Sequence, residues 1–450
     1  MYRRSDISRL SIILIAVILF AGCGNGNGVP DQTTDGNVNK IVLRFAHNWT
    51  NGDTKAPYFE PMLEKYARLR EDSVEFIFEA TSKMDHKHKI QVDVASGNTP
   101  DIFTYWAGSP FASLVQADAL ADMGEYLSMS KQIKAGHFDD EMFDSLIFND
   151  KTYGIPYEVY KSFLLVNREL FRKAGIGKYP ETIEELISMA PQFEKIGVIP
   201  AAFTSKNGDP SHTLYSSFLF QYAGEYEKSL DISNTFLFKN ENTIKAAQAI
   251  EALRIGKVIP MDTIQTGGDE GAVTLYNSEK AAMVIAFPWM IQMIDEEIAE
   301  KSDIIAVPSL SDFTEYSSAF CVGAVSMGIA VNKGSLADEL LKNELIDFID
   351  YLVSDEMFRE LAKSGMFPAK NVEIDPETVP ALFLKVADFT KNQELKLNHA
   401  KLFPNDEVLN VYLDSLDKLF AGAINAHEFN DTVQGSLDDA KEKLGQEIIN

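Results

Sequence analysis

Apolar residues in the first part of the folded region alternate between short β-type runs and amphipathic helical stretches. Lys40–His47 is a β-rich run, and Tyr58–Leu69 places apolar residues at helical spacing. Val74–Phe78 and Asp101–Trp106 are predicted as further strands, with a helix between them over His86–Ala95. Because strands that alternate with helices favour a sheet covered on both faces, a mostly parallel α/β arrangement is predicted here.

The same alternation continues through the rest of the chain. A helix is predicted over Thr182–Gln192, where Thr182 and Glu185 have the spacing of a capping box. Further strands are predicted at Thr152–Pro156, Phe163–Asn167, Ala281–Phe287, Ile304–Val307 and Cys321–Val331. Further helices are predicted at Ile244–Gly256, Leu340–Leu352, Glu356–Lys363, Asp406–Phe420 and Asn430–Ile449. The folded region is too long for one compact core, so two α/β lobes are predicted.

The N-terminal residues are typical of a targeting segment. Arg3, Arg4 and Arg9 form a basic region beside Leu10–Phe20, an apolar run of eleven residues. Because a membrane-spanning helix needs about 20 apolar residues, this run is interpreted as the centre of a signal peptide. The following Ala21-Gly22-Cys23 resembles a bacterial lipobox, which implies cleavage before the cysteine and attachment of a lipid to it. An ordinary secretory signal with a chance cysteine is the alternative.

Composition indicates a tether after the signal and excludes some classes of partner. Residues 1–22 are assigned to the signal peptide, and residues 23–39, rich in Gly, Asn and Asp, to a lipidated flexible tether. The chain has 67 acidic and 41 basic residues, a net charge of −26. This charge disfavours nucleic acid and anionic lipid, so membrane contact is expected through the lipid on Cys23 alone. The expected location is the outer face of a bacterial cell membrane, extracellular or periplasmic.

Motifs of catalysis and metal binding are absent from the sequence. It contains no G-x-S-x-G, H-E-x-x-H or P-loop pattern. Asp85-His86-Lys87-His88 suggests a metal, but residues two apart on a helix point to different sides, and the neighbouring lysines repel a cation. No metal and no cofactor are therefore predicted. An extracellular polysaccharide-acting enzyme remains an alternative class, because its paired carboxylates have no sequence signature.

The three tryptophans are candidate ligand contacts. Trp49, Trp106 and Trp289 each lie at or just past the carboxyl end of a predicted strand. In open α/β sheets, ligands bind beyond the carboxyl ends of strands. Flat aromatic rings offer a large apolar area of fixed geometry, which suits the C–H faces of sugar rings. A ligand site is therefore favoured over the alternative that all three rings are simply core.

Five segments occur in an order that is characteristic of one protein family. They are Ser96–Trp106 (SGNTPDIFTYW), Tyr153–Ile176 (YGIPYEVYKSFLLVNRELFRKAGI), Asn277–Trp289 (NSEKAAMVIAFPW), Ile305–Leu310 (IAVPSL) and Phe348–Ala369 (FIDYLVSDEMFRELAKSGMFPA). Together they resemble the extracellular solute-binding proteins of ABC importers, in the carbohydrate-type group that includes maltose-binding protein. The resemblance covers the chain from the end of the tether to its C-terminus.

The resemblance implies a periplasmic-binding-protein-like fold of type II. Two α/β lobes, each with a mostly parallel sheet flanked by helices, would be joined by hinge crossovers near Pro156, Val307 and Met366–Pro368. Lobe 1 is then expected to comprise residues 40–156 and 307–366, and lobe 2 residues 157–306 and 367–450.

The resemblance also implies ligand-binding residues. Trp289 stands where the family has a stacking tryptophan, and Trp106 follows the strand that begins at Pro100-Asp101. Ser109 stands where maltose-binding protein has a carboxylate, so maltose is not assumed as the ligand. The other expected ligand-binding residues are His47, Asn48, Trp49, Tyr157, Glu158, Tyr160, His212, Tyr215 and Phe287.

The implied function is non-enzymatic. A monomer would capture a mono- or oligosaccharide by hinge closure and deliver it to the permease subunits of an ABC transporter. A solute-binding protein for a non-sugar ligand is the nearer alternative. A phosphate or carboxylate ligand would favour arginine in the site, and the candidate loops contain few basic residues, with Lys161 the main exception.

Overall fold

The structure, a computed structural model, describes residues 40–50, 52–134, 136–205, 208–223, 237–260, 262, 267–310 and 320–449. The predicted signal peptide at residues 1–22, the tether at residues 23–39 and the lipid-attachment residue Cys23 lie outside the described residues. None of the described helices combines the length and the apolar composition needed to cross a membrane.

Strands and helices alternate along most of the described chain. The strands are β1 (Ile41–His47), β2 (Val74–Ala80), β3 (Ile102–Trp106), β4 (Ile147–Phe148), β5 (Lys151–Thr152), β6 (Gly154–Lys161), β7 (Phe163–Asn167), β8 (Ile199–Ala202), β9 (Ala281–Ala286), β10 (Ser302–Ile305), β11 (Phe320–Val331), β12 (Phe367–Pro368) and β13 (Glu394–Leu397).

The helices are α1 (Ala56–Arg70), α2 (Lys83–Ser96), α3 (Ser109–Gln116), α4 (Gly124–Met129), α5 (Arg168–Lys173), α6 (Ile183–Lys195), α7 (Asp209–Ala223), α8 (Glu241–Ile255), α9 (Gly268–Asn277), α10 (Glu296–Lys301), α11 (Lys333–Ala337), α12 (Lys342–Leu352), α13 (Asp355–Lys363), α14 (Ala381–Thr390), α15 (Asp406–Phe420) and α16 (Ala426–Ile449). Short 3-10 segments include Pro288–Met293 and His399–Leu402.

The larger sheet has the strand order β12-β6-β11-β3-β1-β2, and β13 pairs with β11. The first three strands of the chain pair in parallel, as the βαβαβ pattern predicts. β11 runs antiparallel to both of its long neighbours, β3 and β6. β12 also pairs antiparallel with β6, so the larger sheet is mixed rather than mostly parallel.

The smaller sheet has the order β10-β7-β9-β8. The chain passes into it from the larger sheet at Ser162, between β6 and β7, while Pro156 lies within β6. β12 and β13 both pair in the larger sheet. The two sheets give the two groups of elements expected of two lobes, and the exact residue boundaries of the lobes stay a prediction.

Helix α6 begins as the sequence indicates. The Thr182 side chain accepts a hydrogen bond from the backbone N–H of Glu185 at 3.2 Å. The Glu185 carboxylate reaches back one residue further than a capping box requires and accepts from the backbone N–H of Glu181 at 2.8 Å. The first bond satisfies a donor that the first turn of a helix leaves without a partner, and the second holds the residue before the cap in place. Together they fix where α6 starts.

β11 is the central strand of the larger sheet, and all of its residues are buried. Gly323 in β11 faces the backbone of β6 so closely that a Cβ there would overlap the carbonyl oxygen of Tyr160. Only glycine allows this approach. Cys321 is buried in the same strand, as expected of a structural thiol, and burial raises its pKa to about 11.

Candidate functional site

Trp289 is held in one orientation at the end of the smaller sheet. It follows β9 in the segment Pro288–Met293, and its ring stacks on the fully buried ring of Phe287, with centroids 4.7 Å apart and an interplanar angle of 8°. Its Nε1 donates a hydrogen bond to Asp269 Oδ2 at 2.9 Å. Tyr160 of β6 lies 6.1 Å from the Trp289 ring. The indole is therefore fixed on one face and one edge, while the side chain remains partly exposed.

Asp269, which accepts the hydrogen bond from Trp289, is electrostatically coupled to Asp209, and Asp209 in turn to His212 and Lys401. We call Asp209, His212, Asp269 and Lys401 the open cluster. Burial and the charge of Asp209 raise the pKa of Asp269, against the hydrogen bond from Trp289 and the charge of Lys83. Burial would also raise the pKa of Asp209, but the hydrogen bond and charge of His212, with Lys401 and Lys83, lower it below its ordinary value. Lys83 is the first residue of α2, which follows β2 of the larger sheet, whereas Asp269 lies in α9, which precedes β9 of the smaller sheet. The electrostatic coupling therefore links residues from the two groups of elements.

Lys401 approaches the open cluster from the C-terminal part of the chain. Its Nζ donates to the carbonyl oxygen of Ala107, just after β3, at 2.9 Å. Its side chain passes over Gly108, where a Cβ would lie 2.8 Å from Lys401 Cδ. Burial lowers the pKa of Lys401 to about 8, and the charge of Lys87 acts in the same direction, against those of Asp209 and Glu158.

A second polar group joins the segment before α1 to β6 and β11 of the larger sheet, and we call Asp53, Lys55, Glu158 and Ser326 the buried cluster. Lys55 Nζ lies 3.2 Å from Glu158 Oε2 and 3.5 Å from Asp53 Oδ2, and the Lys55 and Glu158 side chains are 5% and 3% exposed. Ser326 donates to Glu158 Oε1 at 2.7 Å. Burial opposes the charge on Lys55, but Glu158 and Asp53 more than offset it and raise its pKa.

The loop after β1 is packed within the larger sheet's core. His47, Asn48 and Trp49 are all buried, and the Trp49 ring contacts those of Phe59 and Tyr157 at 4.5 and 5.7 Å. Burial, with the charge of His86, lowers the pKa of His47 to about 3. Among the described residues, Trp49 Nε1 and the Tyr157 hydroxyl have no hydrogen-bond partner. Ligand contact by this loop stays a prediction.

Two predicted ligand residues use their hydroxyl groups within the fold. Ser109 Oγ donates to the carbonyl oxygens of Ala400 and Phe403 at 3.1 and 2.7 Å. The Tyr215 hydroxyl donates to the carbonyl oxygen of Thr243 at 3.0 Å, and the residue is fully buried. These contacts give both residues a stabilising role, and a ligand role for them stays a prediction.

His212 and Trp106 lie closer to solvent. His212 Nε2 is 3.1 Å from Asp209 Oδ1, and its Nδ1 is 2.6 Å from Asn398 Nδ2. The Trp106 side chain is partly exposed at the end of β3, and its ring lies 6.1 Å from that of His86. Both residues are therefore only partly enclosed, and a ligand role for them stays a prediction.

The structure adds residues that sequence reasoning missed. Asp53 and Lys55 form the buried cluster with Glu158, and Asp209, Asp269 and Lys401 complete the open cluster. A sequence signal for Asp269 is its place directly after Gly267-Gly268, where α9 begins. In the described ranges, no three His, Cys, Asp or Glu side chains are grouped to hold a metal ion.

Solved structures share this fold. A chain from a study of xylan utilization by Caldanaerobius polysaccharolyticus superposes with a TM-score of 0.76 at 22% identity, covering 88% of this chain and 99% of that chain. A chitin oligosaccharide binding protein gives a TM-score of 0.76 at 19% identity, covering 90% and 100%. The predicted two-lobed α/β fold of the periplasmic-binding-protein type is confirmed.

Known proteins also resemble this chain in sequence. An uncharacterized ABC transporter extracellular-binding protein of Pyrococcus horikoshii is 23% identical over 291 residues, 62% of this chain and 64% of that protein. A galactooligosaccharide-binding protein of Bacillus subtilis is 23% identical over 256 residues, 56% and 57% of the two lengths. The matched part thus spans less than two thirds of either relative. Residues 52–357, more than half of the chain, match the family described as bacterial extracellular solute-binding protein. The chain belongs to this family.

Proposed function

We propose that this protein captures a mono- or oligosaccharide between its two lobes and delivers it to the permease of an ABC transporter without chemically changing it. The observation that supports this most is the geometry at Trp289. Its ring is partly exposed, is backed by Phe287 and is fixed by Asp269, and Asp209 is coupled electrostatically to the same carboxylate. An aromatic face beside carboxylates matches a sugar, which has apolar C–H faces and hydroxyl groups that donate hydrogen bonds.

The basic residues of the open cluster and its surroundings also favour a sugar over a phosphate. The basic residues that influence Asp209 and Asp269 are Lys83, Lys401 and His212, and none is an arginine. Bidentate recognition of phosphate or carboxylate favours arginine. Relatives whose names include galactooligosaccharide and chitin oligosaccharide are consistent with the same ligand class.

Hinge closure is the proposed mechanism. The candidate residues come from elements of both sheets and from the segments that follow them, and Tyr160 of the larger sheet lies near Trp289, which follows β9 of the smaller sheet. On the same 3-10 segment, Gln292 Nε2 donates to the hydroxyl of Tyr58 in α1 at 3.1 Å. A ligand held by both sides would stabilise the closed arrangement. Small-angle scattering should show a smaller radius of gyration at saturating ligand, and a bound ligand that leaves the radius unchanged would contradict closure.

A thermal-shift screen tests the ligand class. Because a ligand that binds only the native state raises apparent stability, mono- and oligosaccharides such as xylotriose, chitotriose, maltotriose and galactotriose are compared with inorganic phosphate and citrate. A rise in the melting temperature with a sugar supports the proposal, and a rise only with phosphate or citrate favours the non-sugar alternative. Chromatography of the sugar after incubation distinguishes capture from hydrolysis, since an enzyme would release shorter products.

Anchoring through a lipid on Cys23 is also proposed. The motive is the apolar run that ends in Ala21-Gly22-Cys23. Cys23→Ser should release the protein from the membrane fraction or block its processing. Normal cleavage with unchanged membrane retention would contradict the lipoprotein assignment.

A further inference from the structure

Lys401 lies where several elements of the fold meet. Its ammonium is bonded to Ala107 after β3 and interacts electrostatically with Lys87 of α2, Glu158 of β6 and Asp209 of α7. The backbone at Gly108 has a φ of +84° and no side chain, which leaves room for the Lys401 stem. The position of the ammonium is therefore set by the fold.

Lys401 differs from the other lysines around it in lacking a close carboxylate. Lys55 faces two carboxylates within 3.5 Å, and Lys87 lies 3.2 Å from Asp406. In the described part of the chain, Lys401 has one hydrogen-bond acceptor, the carbonyl oxygen of Ala107, and no carboxylate at ion-pair distance. Two of its three N–H donors therefore have no acceptor among the described residues.

Asp209 is the matching acceptor. Its pKa is lowered partly by Lys401, so it is ionised at neutral pH, and its side chain is 43% exposed. A hydroxyl group can accept a hydrogen bond from an ammonium and donate one to a carboxylate at the same time. A carboxylate on the ligand would instead be repelled by Asp209 and Asp269.

We propose that Lys401 is a specificity-determining residue, and that a hydroxyl group of a neutral sugar bridges its ammonium to the carboxylate of Asp209. This inference rests on the proposed function and narrows it to uncharged carbohydrates, with acidic sugars disfavoured.

The bridge makes binding depend on pH. The sugar oxygen accepts from the ammonium form, so affinity should fall as the pH rises through about 8, where free Lys401 loses its proton. The groups that face Lys401 are Lys87, Glu158 and Asp209, with His212 and Asp269 behind Asp209. A variant that changes only Lys401 is needed to separate its titration from theirs.

The experiment is calorimetric titration of the folded full chain with xylotriose, chitotriose, maltotriose, galactotriose and, as the acidic probe, trigalacturonate. Lys401→Met should weaken binding of the neutral probe about 10- to 100-fold, the range of a hydrogen bond to a charged group.

Wild-type affinity should fall about tenfold between pH 7 and pH 9.5. The fall should disappear in Lys401→Met, and also in Lys401→Arg, whose charge persists at pH 9.5. Lys396→Met, in the same segment but paired with Glu394, is the matched control and should bind normally.

Each remaining outcome has a definite meaning. If Lys401→Met binds a neutral probe as tightly as the wild type does, the role of Lys401 is overturned. The same holds if the affinity of Lys401→Arg still falls as the pH rises. Tighter binding of trigalacturonate than of every neutral probe would overturn the ligand class. If no sugar binds the wild type, the proposed function itself fails and this inference with it. Melting temperatures of the three variants separate lost binding from lost folding.

Discussion

The buried cluster and the open cluster contain similar charged groups in opposite settings. In the buried cluster, Lys55 and Glu158 are almost completely enclosed, and each is paired within the protein. In the open cluster, Lys401 has no close carboxylate among the described residues, and Asp209 is 43% exposed. The charges of the first group are compensated by the fold, whereas those of the second group can still take a partner from outside.

The two tryptophan environments show the same contrast. Trp49 is fully buried and contacts Phe59 and Tyr157, whereas Trp289 stacks on Phe287 and is partly exposed. A ring at the end of a strand thus belongs to the core or to a site according to what covers its second face. Enclosed groups should therefore control stability, and half-covered groups should control binding.

Among the largest expected effects is the loss of the buried ion pair. Glu158→Gln should lower the free energy of unfolding by roughly 3 kcal/mol, because it leaves the enclosed ammonium of Lys55 with only the more distant Asp53. Denaturant unfolding measures this loss. Glu394→Gln, which breaks an exposed pair with Lys396, is the control and should cost less than about 1 kcal/mol. Equal losses in the two variants would remove the distinction between the clusters.

Replacing the two tryptophans should separate stability from binding. Trp289→Ala should weaken sugar binding by roughly 1–4 kcal/mol while costing less stability than the roughly 3–5 kcal/mol typical of a truncated core tryptophan. Trp49→Ala should show that full stability loss. Calorimetric titration and thermal melting measure the two quantities. A Trp289→Ala variant that binds normally but melts far lower would place Trp289 in the core.

Acid should destabilise the fold through its enclosed histidines. The pKa of His47 is about 3 when folded and 6.5 in an unfolded chain. Between these values the unfolded state binds the extra proton, so stability present above pH 6.5 is lost as the pH falls, at about 1.4 kcal/mol per pH unit for a single histidine. His47→Gln should make denaturant midpoints between pH 6.5 and pH 4 depend less on pH. An unchanged slope would mean that His47 is not kept neutral by the fold.

The smallest expected effect is a gain in stability rather than a loss. Burial lowers the pKa of Lys401 from 10.5 to about 8, so its charge disfavours the folded state of the ligand-free protein at pH 7. Lys401→Met should therefore raise the free energy of unfolding at pH 7, by less than the roughly 3 kcal/mol to which this pKa shift corresponds, because it also removes the hydrogen bond to Ala107. This advantage should shrink as the pH rises from 8 towards 10.5, because wild-type stability increases in that interval. A less stable ligand-free variant would show that Lys401 supports the fold.

Several local features could be predicted because neighbouring residues determine them. The pattern predicts β1 at Lys40–His47 and the structure has it at Ile41–His47, and Thr182 caps α6 as expected. β13 was missed because Glu394–Leu397 is short and half polar, and its only partner among the described strands is β11, far away in sequence. Lys401 lies just after that strand, so its position could not be inferred without the pairing.

The sequence by itself determined the α/β class, the family and the candidate role of Trp289, because periodicity, capping and ordered segments are local properties. Only the tertiary structure decided which candidates are enclosed. Trp49 and Trp289 both follow strands. The exposure of Trp49 depends on Phe59 of α1, whereas that of Trp289 depends on Phe287 and Asp269. Burial and charge coupling arise from residues distant along the chain, and a linear pattern contains no record of those distances.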